Sequence, residues 1–478
     1  MDKKGWDREE DSKRQLMRIM LINPPGSKTY LRDYHCSKVS KAGYVYHPVD
    51  LTFQSGILKK HHEVSVEDAI ACRHSIEHVI ERIKLEKPDA VLCLIGAVSW
   101  QEDRIFVSRL RREFGGKIIV TGDVFLDDPH EITSQLEGID AVLTNFTSTG
   151  LSAYLCGEEA TDMIKIRADG ELEKTEKSPK TGSFSVPVPL YELFPNKKYH
   201  YPFVRRRPFA TILTDYGCPF PCGYCIMSFV GYKTRPVDNV LEELHWLKSH
   251  GYLELYINDQ TFGADKERCR DLLEAMAQDL PHFGWVCFTR ADLLDENTAN
   301  IMKKAGCHTV MLGVENASTD ILKSYRKKVD EKIVKNAFDV ARTNGIRTVA
   351  TFLLGFPEDD AKSVQRTIEL ALELSPDFAS FNFAVPRRAT DIRRRALELG
   401  LVDPHTIEMD QAGETIAMRT KYLSKDEMAE LRRKAIKSFY LRPAYILKRA
   451  LSVRTFYEAR TTVLEGMEVL KSVLGKKI

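Results

Sequence analysis

The sequence of 478 residues is too long for one ordinary domain, and its length predicts two or three. With 43% hydrophobic and 29% charged residues, it is typical of a soluble globular protein. With a formal net charge of +2, the charge of the whole chain does not indicate any partner, so local charge must be considered. No DNA-binding element is recognisable, so we expect no nucleic acid. The charged first residues lack the apolar core of a signal peptide, and no run of 18 apolar residues occurs, so we expect a cytoplasmic protein.

From residue 17 onward, short apolar runs alternate with helical patterns. Strand and helix alternating at this pitch predicts βαβ units and a parallel, doubly wound, Rossmann-like sheet. Such sheets bind ligands beyond the carboxyl ends of their strands. The first turn, from Asn23 to Ser27, is not G-x-G-x-x-G, so a dinucleotide is not the expected ligand. The runs that we predict as strands are 18–24, 62–69, 89–96, 117–123 and 140–146.

A second series of strands and helices follows a segment rich in Pro, Gly, Ser and Lys, which predicts a hairpin and a linker. Six βα units favour a partial TIM-type barrel, whose active site forms at the carboxyl ends of its strands. The predicted strands are 209–215, 254–259, 284–289, 309–315, 348–355 and 378–384. The α/β chain is thus expected to comprise a charged tail (1–16), a doubly wound domain (17–168), a linker (169–203), a barrel (204–400) and a helical C-terminal region (401–478).

Three of the ten cysteines lie within eight residues, in the stretch GCPFPCGYC. Cys218, Cys222 and Cys225 follow the spacing C-x3-C-x2-C, and no fourth cysteine or histidine lies close by. In a cytosolic protein such a group indicates a metal site rather than disulfides. A structural zinc site needs four ligands, and a redox dithiol would leave Cys218 surplus. Because an iron–sulfur cluster can leave one iron to another ligand, the ligand number favours a cluster over these alternatives.

This stretch resembles the signature of the radical S-adenosylmethionine (SAM) enzymes, including an aromatic residue, Tyr224, before the last cysteine. The resemblance implies a 4Fe–4S cluster on the three cysteines, with SAM chelating the open iron through its amino and carboxylate groups. In that family, one electron from the cluster breaks a C–S bond of SAM and yields a 5′-deoxyadenosyl radical. The electron donor that the resemblance implies is reduced flavodoxin or ferredoxin.

Stretches at later strand ends resemble motifs of the same family. YINDQTF resembles f-x-D-D-x-F, with Asp259 at the first acid and Gln260 departing from the second. FTRAD resembles c-x-T-R-x-D, which implies that Arg290 faces the methionyl carboxylate as a planar, bidentate donor. LGVENAS resembles L-G-x-E-S-x-S, which implies that Gly313 and Glu315 belong to the SAM site, with the carboxylate accepting hydrogen bonds from the ribose hydroxyls. Each residue alone could equally be a surface ion-pair partner.

A doubly wound domain before such a barrel is similar to the cobalamin-binding class of radical SAM enzymes. The linker stretch YPFVRRRPFATILTDYGCPFPC and the tail KSFYLRPAYILKRAL resemble that class. The resemblance implies that Ser99, Thr121 and Gly122 contact the cobalamin tail and that Trp100 covers the lower face of the ring. An ordinary packing role is the alternative for Trp100. No D-x-H-x-x-G occurs in the first 150 residues, so no histidine is expected as a cobalt ligand.

The C-terminal region carries a local excess of positive charge. Between Arg432 and Arg454 there are eight Lys or Arg and no Asp or Glu, interleaved with aromatic residues. Such a run is either a solvated face or a peripheral contact with an anionic surface such as the inner membrane. The second alternative suits a hydrophobic substrate, lipid-like or tetrapyrrole. His35 and Cys36, in a long loop after the first strand, could serve that substrate or only bridge the two domains.

Three hypotheses follow. The first is a cobalamin-dependent radical SAM methyltransferase that acts on an unactivated carbon. The second keeps the cluster and the radical without methyl transfer, as in the anaerobic ring-forming cyclases of bacteriochlorophyll synthesis or other C–C bond chemistry. The third is a regulator or scaffold that responds to the cluster or to cobalamin.

Overall fold

The computed structural model describes residues 16–34, 37–38, 44–126, 128–453 and 456–473. It confirms the predicted fold class, with a Rossmann-like sheet, then a parallel barrel sheet, then C-terminal helices. His35 and Cys36 lie outside the described residues. In the part of the chain that is described, no helix is both long and apolar enough to cross a bilayer.

The N-terminal half consists of a sheet with helices packed against it. Its strands are β1 (Arg18–Asn23), β2 (Tyr30–Leu31), β3 (Ser37–Lys38), β4 (Glu63–Asp68), β5 (Ala90–Leu94), β6 (Lys117–Thr121), β7 (Ala141–Leu143), β8 (Met163–Ile166) and β9 (Leu172–Lys174). Its helices are α1 (Val49–Leu58), α2 (Ala69–Cys72), α3 (Ile76–Glu86), α4 (Trp100–Glu113), α5 (Pro129–Ser134) and α6 (Gly150–Leu155).

Within the described ranges this sheet has seven strands in the order β4-β1-β5-β6-β7-β8-β9. The first five are parallel, as the alternating pattern predicts, and every residue of β5 is buried because helices cover both faces. The hairpin β8–β9 adds two antiparallel strands at the edge. The fifth strand ends three residues earlier than predicted, because the backbone turns where Thr144 donates to the Asp162 carbonyl.

The second half forms the barrel. Its strands are β10 (Thr181–Ser183), β11 (Phe209–Ile212), β12 (Asp215–Gly217), β13 (Tyr232–Thr234), β14 (Glu254–Ile257), β15 (Gly284–Thr289), β16 (Cys307–Glu315), β17 (Arg347–Leu354) and β18 (Phe378–Phe383). Its helices are α7 (Met227–Val230), α8 (Val237–Ser249), α9 (Lys266–Asp279), α10 (Glu296–Lys304), α11 (Thr319–Ser324), α12 (Glu331–Thr343), α13 (Ala361–Leu374), α14 (Asp391–Glu398), α15 (Lys425–Tyr440), α16 (Pro443–Ser452) and α17 (Phe456–Val473).

The six-stranded sheet of the described chain runs β11-β14-β15-β16-β17-β18, with parallel pairing throughout. This order is the partial barrel that the sequence predicts. The C-terminal helices pack beside its last strand, where the Tyr440 hydroxyl donates to the Ala379 carbonyl at 2.6 Å and the Tyr445 hydroxyl donates to the Asp377 carbonyl at 3.0 Å.

A buried ion pair joins the two sheets at their ligand-binding edges. The Arg387 guanidinium, which follows β18, donates to the Asp123 carboxylate and to its backbone carbonyl, both at 2.6 Å. Arg388, its neighbour, pairs with Glu131 on α5. The carboxyl ends of the two parallel sheets therefore face each other.

A second buried ion pair closes the edge of the N-terminal sheet itself. The Arg32 guanidinium, in the loop after β2, donates to the Asp103 carboxylate at 2.7 Å, and both side chains are fully buried. It also donates to the Asn23 side chain and to the Pro24 carbonyl at the end of β1. This one side chain therefore connects three loops at the point where such sheets bind ligands.

Breaking this pair should destabilise the N-terminal half. We expect Asp103→Asn to lower the free energy of unfolding by about 3 kcal/mol, because Arg32 keeps its charge without a buried partner. That loss corresponds to a fall of roughly 6–12 °C in Tm for a unit of 150–250 residues, measured by calorimetry. Asp339→Asn is the control: it breaks the exposed pair with Arg342 and should shift Tm by less than about 2 °C. Equal shifts in the two variants would contradict this assignment.

Candidate active site

The cysteine loop lies between β12 and α7 and is anchored by backbone contacts on both sides. Gly217 has a φ of +91°, and an added Cβ there would lie 2.0 Å from the Gly231 carbonyl oxygen. The Cys218 amide donates to that same oxygen at 2.8 Å. The Gly223 amide donates to the Tyr325 carbonyl at 2.8 Å. The path of the loop is thus fixed by backbone geometry before any ligand binds.

Within the loop, side chains fix the orientation of the cysteines. The Ser228 hydroxyl donates to the Cys222 carbonyl at 3.1 Å and to the Cys225 carbonyl at 2.8 Å. The Cys218 thiol lies 3.5 Å from the Thr261 hydroxyl. Cys222 is buried, and the other two cysteines are partly exposed to one cavity.

That cavity has a volume of about 200 Å³ and collects residues from several strand ends of the barrel. It brings together most of the residues that the radical SAM resemblance implies: Cys218, Cys222, Tyr224, Cys225, Arg290, Gly313 and Glu315. Gln260, which departs from the family motif, also lines it. We call it the cysteine cavity.

Arg290 is held in place by three neighbours. Its guanidinium donates to both carboxylate oxygens of Asp292, at 2.9 and 2.8 Å. It lies 3.9 Å from the centre of the Phe220 ring and 3.6 Å from the Cys222 sulfur. Burial lowers the pKa of this guanidinium, but the hydrogen bonds to Asp292 and that residue's charge outweigh it, so its pKa rises. A fixed cation therefore lies beside the cysteine loop.

Glu315 ends β16 in a left-handed backbone conformation, with a φ of +67°. The Lys327 ammonium donates to its carboxylate at 2.8 Å and to the Gly313 carbonyl at 2.8 Å. Lys327 is buried and lines the cysteine cavity. The sequence analysis missed Lys327, because no family motif includes it and it follows a helix twelve residues later.

Tyr224 and Asp259 differ in how they relate to this cavity. The Tyr224 ring lines it and packs edge-on against Phe356, with ring centres 5.5 Å apart. Asp259 does not line it: its carboxylate is fully buried and accepts from the Thr214 amide at 2.6 Å and hydroxyl at 2.5 Å. Asp259 thus ties the end of β14 to the turn after β11, and Gln260 faces the cavity in its place.

Some of the residues predicted to contact cobalamin line a cavity, and others are buried within the domain. The Ser99 hydroxyl is buried, accepts from Arg32 and donates to Asp103. Trp100 is only 1% exposed and belongs to the hydrophobic core in this structure, and its contact with the corrin ring stays a prediction. Thr121 and Gly122 line a cavity between the two sheets, but its volume is only about 30 Å³. That cavity is smaller than a corrin ring.

The spacing of the three thiols bears on which metal group they fit. Among the described residues, the only three His, Cys, Asp or Glu ligand atoms that all lie within 4.8 Å of one another belong to Glu67, His74 and His78. The ligands of one tetrahedral zinc ion, each about 2.3 Å from the metal, would lie roughly 4 Å apart. At least one pair of the three cysteine sulfurs lies farther apart than 4.8 Å, so in this structure the thiols are not arranged around a single zinc ion.

Burial raises the pKa of the Cys218 thiol, and it raises the pKa of the Cys225 thiol to about 12. Without a metal group, these thiols are therefore protonated at neutral pH. Iron binds thiolates and displaces those protons. The site thus resembles a buried ligand set rather than an activated redox dithiol, which needs a lowered pKa.

Comparison with known proteins agrees with this geometry. The model of the Radical SAM superfamily matches residues 212–371, which include the cysteine loop, Arg290 and Glu315. An uncharacterized methyltransferase of Pyrococcus horikoshii is 27% identical over 474 residues, covering 93% of this chain and 100% of its own. Residues 212–371 of this enzyme thus match the Radical SAM superfamily, and the chain is similar to a methyltransferase over most of its length.

Two further comparisons concern the whole length of the enzyme. The anaerobic magnesium-protoporphyrin IX monomethyl ester cyclase of Synechocystis is 24% identical, over 84% of this chain and 81% of its own. The radical SAM methyltransferase TsrM of Kitasatospora setae, solved with cobalamin and a [4Fe-4S] cluster bound, aligns with 96% of this chain and 100% of its own. Its TM-score of 0.67 at 14% identity shows a shared fold.

The backbone strain at Gly217 predicts that the cysteine loop tolerates no side chain there. We expect Gly217→Ala to destabilise the barrel by at least about 2 kcal/mol, because a positive φ and the Gly231 carbonyl both oppose the added methyl group. Tm should fall, and the apo-protein should react faster with a thiol reagent at Cys218. Gly115→Ala is the control, because an added Cβ there meets no atom within 4 Å. Unchanged thiol reactivity in Gly217→Ala would contradict this account of the loop.

Proposed function

We propose that this enzyme binds a 4Fe–4S cluster through Cys218, Cys222 and Cys225, cleaves SAM reductively and uses the radical for cobalamin-dependent methylation of an unactivated carbon. The proposed substrate is lipid-like or a tetrapyrrole. The observation that carries the proposal is the cysteine cavity, where three thiols, a fixed arginine and a glutamate from different strand ends meet. When bound, such a cluster would donate one electron to the sulfonium of SAM, releasing methionine and a 5′-deoxyadenosyl radical.

The side chains of the cavity suit the two polar ends of SAM. Arg290 offers a planar donor beside the cysteine loop, which suits the methionyl carboxylate. Glu315 offers a carboxylate for the ribose hydroxyls, and Lys327 holds it in one orientation. Tyr224 and its aromatic neighbours exclude water from the adjoining wall. We assign Gln260, rather than Asp259, to the lining of the SAM site, because only Gln260 faces the cysteine cavity.

Cobalamin is proposed on the strength of the fold shared with TsrM, which was solved with it. In the structure, the cavity beside Thr121 and Gly122 has a volume of only about 30 Å³. Binding would therefore require residues that line it, such as Tyr34 and Asp123, to move apart. Because the described residues enclose only this small space there, we derive no reaction step through the cofactor.

The partners of the enzyme are proposed on similar grounds. A reduced flavodoxin or ferredoxin would supply the electron. The basic helix α16 carries exposed apolar residues, Ile446, Leu447 and Leu451, beside its Lys and Arg. That combination supports a peripheral contact with the anionic inner surface of a membrane.

Substitution of the cysteines tests the cluster. We expect Cys222→Ala, reconstituted anaerobically with iron and sulfide, to lose the cluster absorbance and to form no 5′-deoxyadenosine from SAM and dithionite, because two thiolates remain. Cys269→Ala alters a buried cysteine outside the loop, so this variant should keep the cluster absorbance and still form 5′-deoxyadenosine. Formation of 5′-deoxyadenosine by Cys222→Ala would contradict the ligand assignment.

The same assay separates methyl transfer from the second candidate function, radical C–C chemistry of the cyclase type, which the similarity to the Synechocystis cyclase favours. With cobalamin added, methyl transfer produces S-adenosylhomocysteine as well as 5′-deoxyadenosine. The second function produces 5′-deoxyadenosine alone. If neither product forms although the cluster is intact, both candidate functions are contradicted.

Substitution of the fixed arginine tests the SAM site. We expect Arg290→Lys to weaken SAM binding to the reconstituted enzyme about tenfold, because an ammonium cannot replace a bidentate guanidinium. Isothermal titration calorimetry measures this directly. Arg342→Lys, on an exposed surface, is the control and should bind SAM as the wild type does. Equal affinities for the two variants would remove Arg290 from the site.

A further inference from the structure

Three possible metal ligands lie together at the edge of the N-terminal sheet, in a different half of the chain from the cysteine cavity. One ligand atom from each of Glu67, His74 and His78 lies within 4.8 Å of the other two. Glu67 belongs to β4, the first strand in the order of that sheet, and the two histidines stand on either side of the start of α3. We call these three residues the histidine cluster.

The backbone fixes the position of His74. Arg73, which follows α2, has a left-handed conformation with a φ of +58°. The His74 amide donates to the Ala69 carbonyl at 2.9 Å, and the Arg73 amide donates to the Ile70 carbonyl at 3.3 Å. These two hydrogen bonds form the Schellman motif that commonly ends helices. The turn between α2 and α3 is thus defined by its own backbone, and it carries His74 at its end.

His78 is placed by the N-terminal cap of α3. The Ser75 hydroxyl accepts a hydrogen bond from the His78 amide at 3.3 Å. The rings of His74 and His78 lie side by side, with their centres 3.8 Å apart and their planes inclined by 39°. The two residues follow the spacing H-x3-H, which recurs among zinc ligands. Because His78 is exposed, its ring can turn toward an ion with little loss of packing.

Glu67 differs from an ordinary surface carboxylate because its side chain is only 1% exposed. Its Oε1 atom accepts a hydrogen bond from His74 Nδ1 at 2.7 Å, and its Oε2 atom accepts from the Arg82 guanidinium. Arg82 also donates to the Val66 carbonyl at 2.9 Å and to the Glu86 carboxylate at 2.7 Å. The guanidinium thus orients the Glu67 carboxylate through one oxygen and leaves the other directed at His74, and such hydrogen-bonded carboxylates are usual among metal ligands.

The separations within the histidine cluster suit one small cation. Because the three ligand atoms are at most 4.8 Å apart, a common point exists within about 2.8 Å of all three. Bonds from zinc to imidazole nitrogen and carboxylate oxygen are about 2.0–2.2 Å long, so each ligand atom would move by less than about 1 Å. Two imidazoles and one carboxylate favour zinc and similar transition ions, whereas magnesium and calcium prefer oxygen ligands.

We propose that the histidine cluster binds one zinc ion, or a divalent transition ion with the same ligand preference, through Glu67, His74 and His78. The ion takes the place of the proton that His74 donates to Glu67, and the imidazole then carries its proton on the other ring nitrogen. Three protein ligands leave a fourth position for water. The ion would connect β4 to the start of α3 and stabilise the N-terminal half, since the unfolded chain offers no such site. The inference is independent of the proposed function.

Zinc binding is measured on a full-length parent protein, Cys218→Ala/Cys222→Ala/Cys225→Ala, whose cysteine loop has no thiols to compete for the ion. Zinc is titrated against the indicator zincon, and Tm is measured with and without zinc. We expect one ion per chain, a higher Tm with zinc and no displacement by excess magnesium or calcium. If circular dichroism shows that the parent is unfolded, wild-type protein with a reconstituted cluster replaces it. Absence of binding, or displacement by magnesium or calcium, would overturn the proposal.

Single substitutions in the parent assign the ion to the histidine cluster. His74→Ala and His78→Ala should each weaken zinc binding at least tenfold, and Glu67→Gln should weaken it about tenfold, because each variant lacks one ligand. His245→Ala is the control: this exposed histidine lies 3.9 Å from the Asp279 carboxylate, outside the cluster, and the variant should bind zinc as the parent does. Unchanged zinc affinity in either His74→Ala or His78→Ala would contradict the proposal.

Exchange of one ligand gives a spectroscopic test at a single position. His78→Cys in the parent should still bind zinc, because a thiolate is also a zinc ligand. With Co²⁺ in place of zinc, this variant should gain a near-ultraviolet band of thiolate-to-cobalt charge transfer that the parent lacks. Metal binding by His78→Cys without the new band would show that position 78 is not a ligand and would overturn the proposal.

Discussion

The parallel pairing of the six barrel strands is the constraint on which the site depends. Because every strand of the sheet runs in one direction, the turns that follow them meet at one edge. Cys218, Arg290 and Glu315 are far apart in sequence and line one cavity for this reason. A strand of opposite direction would place its motif at the other end of the barrel, so the chemistry of the site is inseparable from the topology of the sheet.

Around that edge, the functional groups are held by partners that take no obvious part in the chemistry. Asp292 holds Arg290, and Lys327 holds Glu315. Each pair neutralises a largely buried charge, which would otherwise be costly to keep away from water. The charged groups are thus oriented before SAM arrives, and less ordering remains for binding to impose. The same partners make each charge less available, so the ligand must compete with them or share them.

The sequence predicted the barrel strands, the cysteine loop and most of the residues around it, because these features are local: an apolar run, a turn and a spacing of cysteines. Lys327 and the Arg32–Asp103 pair were missed because they depend on contacts between distant segments, which no short pattern records. Asp259, whose role in the SAM site stays a prediction, illustrates a different limit of local motifs. Its motif is local and recognisable, but the side chain turns toward Thr214 and ties two strand ends together. The neighbouring Gln260 faces the cavity, since successive residues of an extended segment point to opposite sides.

The barrel interior divides into two environments with different selectivity. The cysteine cavity is lined by charged and sulfur-containing side chains, which suit a zwitterionic cofactor. The adjoining cavity inside the barrel, of about 180 Å³ and lined by Tyr201, Tyr256 and Met311 among others, offers mainly rings and aliphatic groups. Phe288, Thr351, Asn382 and Gln411 form the boundary between them and carry no charge. A ligand that crosses this boundary therefore passes from charged and sulfur-containing groups to rings and aliphatic groups within one barrel. Because apolar contacts lack direction, they fix the depth of a bound group less strictly than hydrogen bonds would. The uncharged amides Asn382 and Gln411 line both cavities, so they are groups at this boundary that can supply direction.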